Sequence, residues 1–315
     1  MTFAPGKVIL LGEHAVVYGH PALAGALGDG VDVEVVPGEG RLRVPAWDVA
    51  VLPGEGATAL SLAWAAICEA VSRVPGYARP AVDLVARFGV PTGSGLGSSA
   101  ALSVAAARAL GEAGGVSLGE LALLEIAMAA ETVFHGKPSG IDHAVAARGG
   151  FGLFTRAAGL SPLPGGPRVP LVIGHTGRAR DTRGRVARVA ELASERPGET
   201  AAHFAAIEAL VRRAAAALLE EDLATVGAAM NDNQEHLAAL EVSCPEIDRM
   251  CDLARAAGAL GAKLTGGGGG GCVIALAPGR EEAVQAAWTA AGFRSFTTVV
   301  GGRDAAPAIR AEARA

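Results

Sequence analysis

Pro91-Thr-Gly-Ser-Gly-Leu-Gly-Ser-Ser-Ala-Ala101 alternates three glycines with small residues and then opens into an alanine-rich run. Glycine lets backbone N–H groups turn toward a ligand with no Cβ in the way. Ser98 to Ala113 is built of strong helix formers with a serine at its start, so a helix is predicted there. The loop then ends on a helix N-terminus, where unpaired N–H groups and the dipole favour an anion. Other glycine-rich loops fit less well. A P-loop requires a lysine that is missing here. Counting Gly-x-Gly-x-x-Gly from Gly93 puts Ser98 in the last place. Gly95-Leu-Gly-Ser-Ser-Ala100 does fit the looser dinucleotide pattern. That pattern wants an acid about 20 residues on, at the end of a second parallel strand, where the chain instead shows a helix running into Gly114-Gly115. On its own the loop is compatible with a nucleotide site or a structural turn.

Upstream, Val82–Phe88 alternates as a strand and feeds the loop directly, giving the order strand, glycine loop, helix. Leu60–Val74 has the apolar face of a helix, with Trp64 as a core residue. Val31, Val33 and Val35 alternate with acids in a half-exposed strand. Gly38–Gly40 is expected to turn it and Arg41–Val44 to return. Nearer the start, the apolar run Val8–Leu11 reads as a buried strand. It is bracketed by Gly6-Lys7 and Gly12-Glu13-His14, which places three ionisable groups at its two ends. Downstream, Ser117-Leu-Gly-Glu120 has the spacing of a capping box and opens a helix to about Phe134. Glu131 near its end is disfavoured by the helix dipole and calls for a cationic partner. His135-Gly-Lys-Pro-Ser-Gly-Ile-Asp142 follows as a tight segment. Asp142 fits a helix N-cap, and its distance from Glu131 could bring both carboxylates to one pocket.

Gly149–Arg156 reads as a strand entered through glycines. Leu160–Pro170, with four prolines and two glycines, is taken as a linker. It divides the chain into domains 1–165 and 166–315. Val169–Ile173 is a strand. The arginines at 178, 180, 183, 185 and 188 then read either as a solvated basic face or as contacts to a polyanion. Helices are expected over 200–220, 222–240 and 245–258. Lys263-Leu-Thr precedes six consecutive glycines and Cys272. Such a run is costly in conformational entropy, and close backbone approach to a ligand or another loop would justify it. Cys272–Ala277, Glu281–Ala291 and Ser295–Val300 give strand, helix, strand. The Ala- and Arg-rich tail after Gly302 is expected to fray.

The 315 residues are half hydrophobic, with a net charge of −5 and mean hydropathy of +0.35. This supports a sizeable core and argues against nucleic acid as the main partner. Any anion must be held by local groups. The four cysteines lack zinc-type spacing and fit reduced thiols. The start lacks the plan of a signal peptide, and Glu69 breaks the longest apolar run. A cytoplasmic protein with no membrane partner is expected.

Five segments together, Pro5–Gly19, Pro91–Ala101, His135–Asp142, Asp181–Arg183 and Lys263–Cys272, resemble the GHMP small-molecule kinases, most closely their mevalonate branch. The resemblance runs nearly the full length. It implies an α+β fold of two lobes with the active site between them. It also implies ATP-dependent phosphorylation of the primary hydroxyl of mevalonate, and allows a homodimer. ATP phosphates would lie on Pro91, Gly93, Ser94, Gly95, Leu96, Gly97, Ser98, Ser99 and Ala100, with Thr182 near the γ-phosphate. Ser99 and Glu131 match the family's Mg²⁺ ligands, which would give Glu131 its cation. Asp142 matches the catalytic carboxylate, and Lys7 the lysine beside it. Glu13 and His14 would line the acceptor side with Gly267, and Arg156 is the candidate for the substrate carboxylate. Two departures stand out. Asp181 replaces the usual serine before Thr182, where it would repel phosphate unless it points away. Gly267 stands where alanine is common. Alternatives are a kinase of phosphomevalonate or a sugar, using the 178–188 arginines, a non-catalytic nucleotide-binding relative, or a dinucleotide oxidoreductase.

Overall fold

The computed structural model describes residues 1–136, 138–165 and 167–301. Lys137 and the tail after Gly302 lie outside them. The first half contains β1 (Thr2–Leu11), β2 (Ala22–Pro37), β3 (Leu42–Val44), β4 (Val49–Val51), α1 (Ala59–Ser72), β5 (Val82–Phe88), α2 (Ser98–Ala113), α3 (Glu120–His135), α4 (Ile141–Arg148), β6 (Phe151–Thr155) and β7 (Gly159–Pro162). The second contains β8 (Arg168–His175), α5 (Thr182–Glu195), α6 (Pro197–Leu219), α7 (Leu223–Ala239), α8 (Pro245–Ala256), β9 (Gly261–Thr265), β10 (Cys272–Leu276), α9 (Glu281–Ala290) and β11 (Arg294–Gly301). The fold is the expected α+β.

One mixed sheet runs through the molecule in the order β4-β3-β5-β2-β11-β8-β10-β9, with β1 and β6 also on β2. The 16-residue β2 is its shaft. The first part of β2 pairs with β6 and its last part with β5, β1 runs along it, and Leu27 meets Val300 of β11. Helices α1, α2 and α3 cover a core built on Val31, Val33, Leu84, Trp64 and Ile67. A larger core joins Val8, Leu10, Leu11 and Leu23 of the first half to β8, β10 and helices α6–α8 of the second. No described helix is long and apolar enough to cross a membrane.

Most elements lie where periodicity puts them, and three differ. Arg41–Val44 does not return onto β2, because β5 lies between them. The Asp83 carboxylate, at the start of β5, accepts the N–H groups of Glu39, Gly40 and Arg41 and the Arg43 guanidinium, so the turn wraps around β5. The capping box at Ser117–Glu120 does not form. Gly119 is the N-cap of α3 with no side-chain bond, and Glu120 accepts from Arg148. Leu118 packs so closely on Gly111 of α2 that a Cβ there would lie 3.0 Å from it, so packing rather than capping sets the helix start. The proline-rich linker is shorter than expected. Gly159–Pro162 pairs with β6, and β8 starts at Arg168.

Candidate active site

The glycine loop is held from behind by β1. Lys7 N–H donates to the Leu96 carbonyl at 2.9 Å, and Leu96 is buried. Ser94 Oγ donates to the Pro91 carbonyl at 2.6 Å, closing the turn. Gly97 is the N-cap of α2 at φ +73°, and a Cβ there would lie 2.8 Å from Lys7 Cγ. Glycine is therefore required twice over, by backbone conformation and by the lysine stem. The first ladder bond of α2 runs from Ala101 N–H to Gly97. This leaves the N–H groups of Ser98, Ser99 and Ala100 without helical partners, as an anion site needs.

Lys7 stands on the stretch of β1 where its register with β2 shifts between Pro5 and Lys7, an irregularity common beside functional sites. It is buried, and its Nζ lies 3.1 Å from Asp142 Oδ1. Asp142 is not the N-cap of α4. Gly140 takes that place at φ +95°, and Asp142 sits in the first turn. Glu131 faces the same space from α3, with one carboxylate oxygen buried and unpartnered. Burial, and then the Asp142 charge, push the Glu131 carboxyl up to about 7. The 11-residue spacing does bring the two carboxylates together. Ser99 Oγ lies 3.2 Å from His135 Nε2, which is itself 3.7 Å from Glu131 Oε2.

A cleft of about 850 Å³ opens in front of these groups. Lys7, Glu13, His14, Glu131, Asp142, Arg156, Thr182 and Gly267 all line it, together with Arg180, Arg183 and His143. Residues 91–101 do not line the cleft and lie behind Lys7. His14 adopts φ +61°, and its buried imidazole bonds the Gly267 carbonyl through Nε2 at 3.0 Å. A carbonyl only accepts, so Nε2 carries the proton. Burial pulls His14 down to about 4.

Glu13 is paired with Lys263 of β9, Nζ to Oε1 at 2.5 Å, and neither side chain is more than 1% exposed. Burial pushes the Glu13 carboxyl up and the Lys263 ammonium down, each opposed by the charge of the other. The sequence alone does not mark Lys263 as the partner of Glu13. Its signal is a lone cation inside an otherwise apolar strand. Asp181 points away from the cleft and caps α5, accepting Gly184 N–H at 2.9 Å. Gly267 is not interchangeable with alanine, because a Cβ would lie 2.5 Å from Thr182 Oγ1. Most of the glycine run lies against residues 178–185, and Gly271 also lies near Ser94 of the 91–101 loop. Most of the basic cluster is spent elsewhere. Arg188 pairs with Glu191, Glu195 and Glu241, Arg178 with Glu246, and Arg185 donates to the Glu241 carbonyl.

Three cleft residues hold buried polar atoms with no partner among the described residues: Glu13 Oε2, Glu131 Oε1 and His143 Nδ1. An unpaired buried polar atom is costly unless a ligand completes it. Glu131 and the Ser99 hydroxyl form a sparse, hard-oxygen donor set. That suits Mg²⁺, which keeps several waters and binds through one or two protein groups plus phosphates.

The chain's sequence matches the models of the GHMP kinases N terminal domain over residues 60–150 and of the GHMP kinases C terminal domain over residues 214–294. It is 36% identical to a mevalonate kinase of Pyrococcus horikoshii, covering 92% of each chain. It is also 36% identical to a mevalonate kinase of Pyrococcus furiosus, covering 94% of this chain and 95% of that one. A crystal structure of L. major mevalonate kinase in complex with R-mevalonate superposes with a TM-score of 0.82 at 29% identity, covering 95% of both chains.

Proposed function

The chain belongs to the GHMP kinases, in their mevalonate kinase branch, and on that premise we propose that its cleft transfers the γ-phosphoryl group of ATP to the primary hydroxyl of mevalonate, giving 5-phosphomevalonate and ADP. The observation that carries the site assignment is the Lys7–Asp142 pair, which stands between the glycine loop and the cleft. Phosphoryl transfer asks for positioning and charge stabilisation more than for covalent chemistry by the protein. The free N–H groups at the start of α2 cradle the ATP phosphates. The acceptor hydroxyl oxygen attacks Pγ in line as the bond from Pγ to the ADP oxygen breaks. Asp142 orients that hydroxyl and takes its proton, while Lys7 positions Asp142 and offsets charge on the phosphate oxygens. Ser99 and Glu131 would hold Mg²⁺, which when bound supplies positive charge to the β- and γ-oxygens. Glu13, His14 and Arg156 line the acceptor end, Arg156 being the exposed cation there for the substrate carboxylate. The ion pairs that occupy Arg178 and Arg188 leave fewer cations for a second substrate phosphate, which favours mevalonate over its phosphorylated product as acceptor.

A coupled ADP-release assay with ATP and Mg²⁺ tests this on mevalonate, 5-phosphomevalonate, galactose and homoserine. Turnover on mevalonate is expected, with Asp142→Asn lowering kcat by on the order of 10²–10⁴ and leaving ATP binding intact. A variant within tenfold of wild type would remove the proton-accepting role from Asp142, and turnover confined to another acceptor would replace the substrate.

A further inference from the structure

We infer that Lys263 is a positioning residue of the transfer reaction: it fixes the Glu13 carboxylate from behind, so that the second carboxylate oxygen accepts a hydrogen bond from a hydroxyl of the acceptor other than the one phosphorylated. The inference rests on the phosphotransfer reading above and on the geometry around one buried ion pair.

Lys263 lies on β9, fully buried, and is not part of the cleft wall. Its Nζ donates to Glu13 Oε1 at 2.5 Å and to the Leu264 carbonyl at 2.6 Å. Glu13 does line the cleft, and its other oxygen, Oε2, is buried with no partner among the described residues. One oxygen of this carboxylate is thus held by the second half of the chain, and the other is left for a ligand. An ionised carboxylate has no proton to give, so the group that completes Oε2 is a donor. Asp142 serves the reacting hydroxyl, and an anionic end of the acceptor would be repelled. A second hydroxyl remains, which on mevalonate is the tertiary one.

The same loop is gripped at neighbouring positions. Asn233 Oδ1 accepts Gly12 N–H at 3.2 Å, the Thr265 hydroxyl bonds both the N–H and the carbonyl of Ile9, and His14 Nε2 donates to the Gly267 carbonyl. Of these ties, the one from Lys263 joins two charged groups. Burial favours the protonated Glu13 carboxyl, and Lys263 is the foremost charge opposing it, with Lys7 behind it. Without Lys263 the carboxyl takes up a proton more readily, and Oε2 ceases to be a fixed acceptor.

Full-length wild type, Lys263→Met, Lys263→Arg, Glu13→Gln and Lys263→Met with Glu13→Gln are to be assayed below each protein's Tm by ADP release. The acceptor is whichever of the panel the wild type phosphorylates, beside its deoxy analogue lacking the non-reacting hydroxyl. Wild type should prefer the parent acceptor by more than about 20-fold in kcat/KM, and the double variant by less than about tenfold. Lys263→Met should lose at least about tenfold in acceptor kcat/KM at neutral pH and gain a limb that rises with pH as Glu13 ionises. The charged groups facing Glu13 are Lys263 from β9 and Lys7 from β1, with His14 beside it in the chain, so Lys263→Arg should keep the wild-type profile. If Lys263→Met does not fold, the pair with Gln at 13 decides. Glu13→Gln and the double variant should agree within about threefold in kcat/KM, because Lys263 then has no carboxylate to act through. The assignment is overturned by a wild-type preference under about threefold, by an unchanged preference in the double variant, or by a further tenfold loss between those two variants. Turnover on homoserine alone, which has no second hydroxyl, overturns this contact too, whereas turnover on galactose replaces the proposed acceptor and leaves the comparison to be made.

Discussion

Lys263 ends on Glu13 with both charges out of water, and removing one partner should be worse than removing both. Lys263→Met is expected to cost about 3–5 kcal/mol, because it strands the Glu13 carboxylate. Adding Glu13→Gln should recover much of that. Urea unfolding of the two single variants and the double variant measures the coupling, and strictly additive losses would refute it. His14 gives a pH signature. Unfolded, it takes up a proton near 6.5, and folded only near 4. Its contribution is therefore complete above pH 6.5, falls as the pH drops between those values, and is lost near pH 4, a difference of about 3 kcal/mol. His14→Gln should flatten that part of the stability profile, and an unchanged profile would assign the acid sensitivity elsewhere. At this scale the sequence marks Lys7, Glu13, His14 and Asp142 as chemistry because each interrupts apolar or glycine-rich surroundings. It does not reveal that Glu13 and Lys263 meet, since their contact spans 250 residues and depends on β1 lying beside β9.

Among elements, the glycine run shows where local pattern stops being informative. All six positions look alike in the sequence, yet their surroundings differ. Gly266 has open space around it, whereas a Cβ on Gly268 would meet the Val242 carbonyl at 2.1 Å, and both residues have positive φ. Gly266→Ala should lose about 1–2 kcal/mol, from the left-handed backbone alone. Gly268→Ala should lose clearly more, because backbone must move as well. Thermal unfolding of the pair checks this, and equal losses would show that the run yields without strain. Periodicity makes α1 and β5 legible because each shows a regular apolar face, and α2, buried nearly all round, is legible from its run of strong helix formers. It misses the true start of α3 and the neighbour of β3, which are decided by Leu118 packing on α2 and by Asp83 gathering the turn.

Across the whole molecule, the two halves share one sheet and one core, Val8, Leu10, Leu11 and Leu23 packing among residues of the second half. Residues 1–165 expressed alone should therefore show no sharp unfolding transition, whereas the full chain should unfold in a single step by calorimetry, with van't Hoff and calorimetric enthalpies agreeing. Two separated transitions would contradict this coupling. The tie between β1 and β9 also sets a schedule. Ile9 is hydrogen-bonded through both its N–H and its carbonyl to the Thr265 hydroxyl, so the strand that carries Lys7, already paired with β2, receives this further tie from a residue made 256 positions later. At about 5–20 residues per second, the ribosome needs roughly 13–50 s to travel from one to the other. Throughout that interval the nascent chain carries an unfinished sheet face and no working site. The cleft, lined from Lys7 through Gly267, is therefore completed only once both halves have been made, rather than growing with the chain.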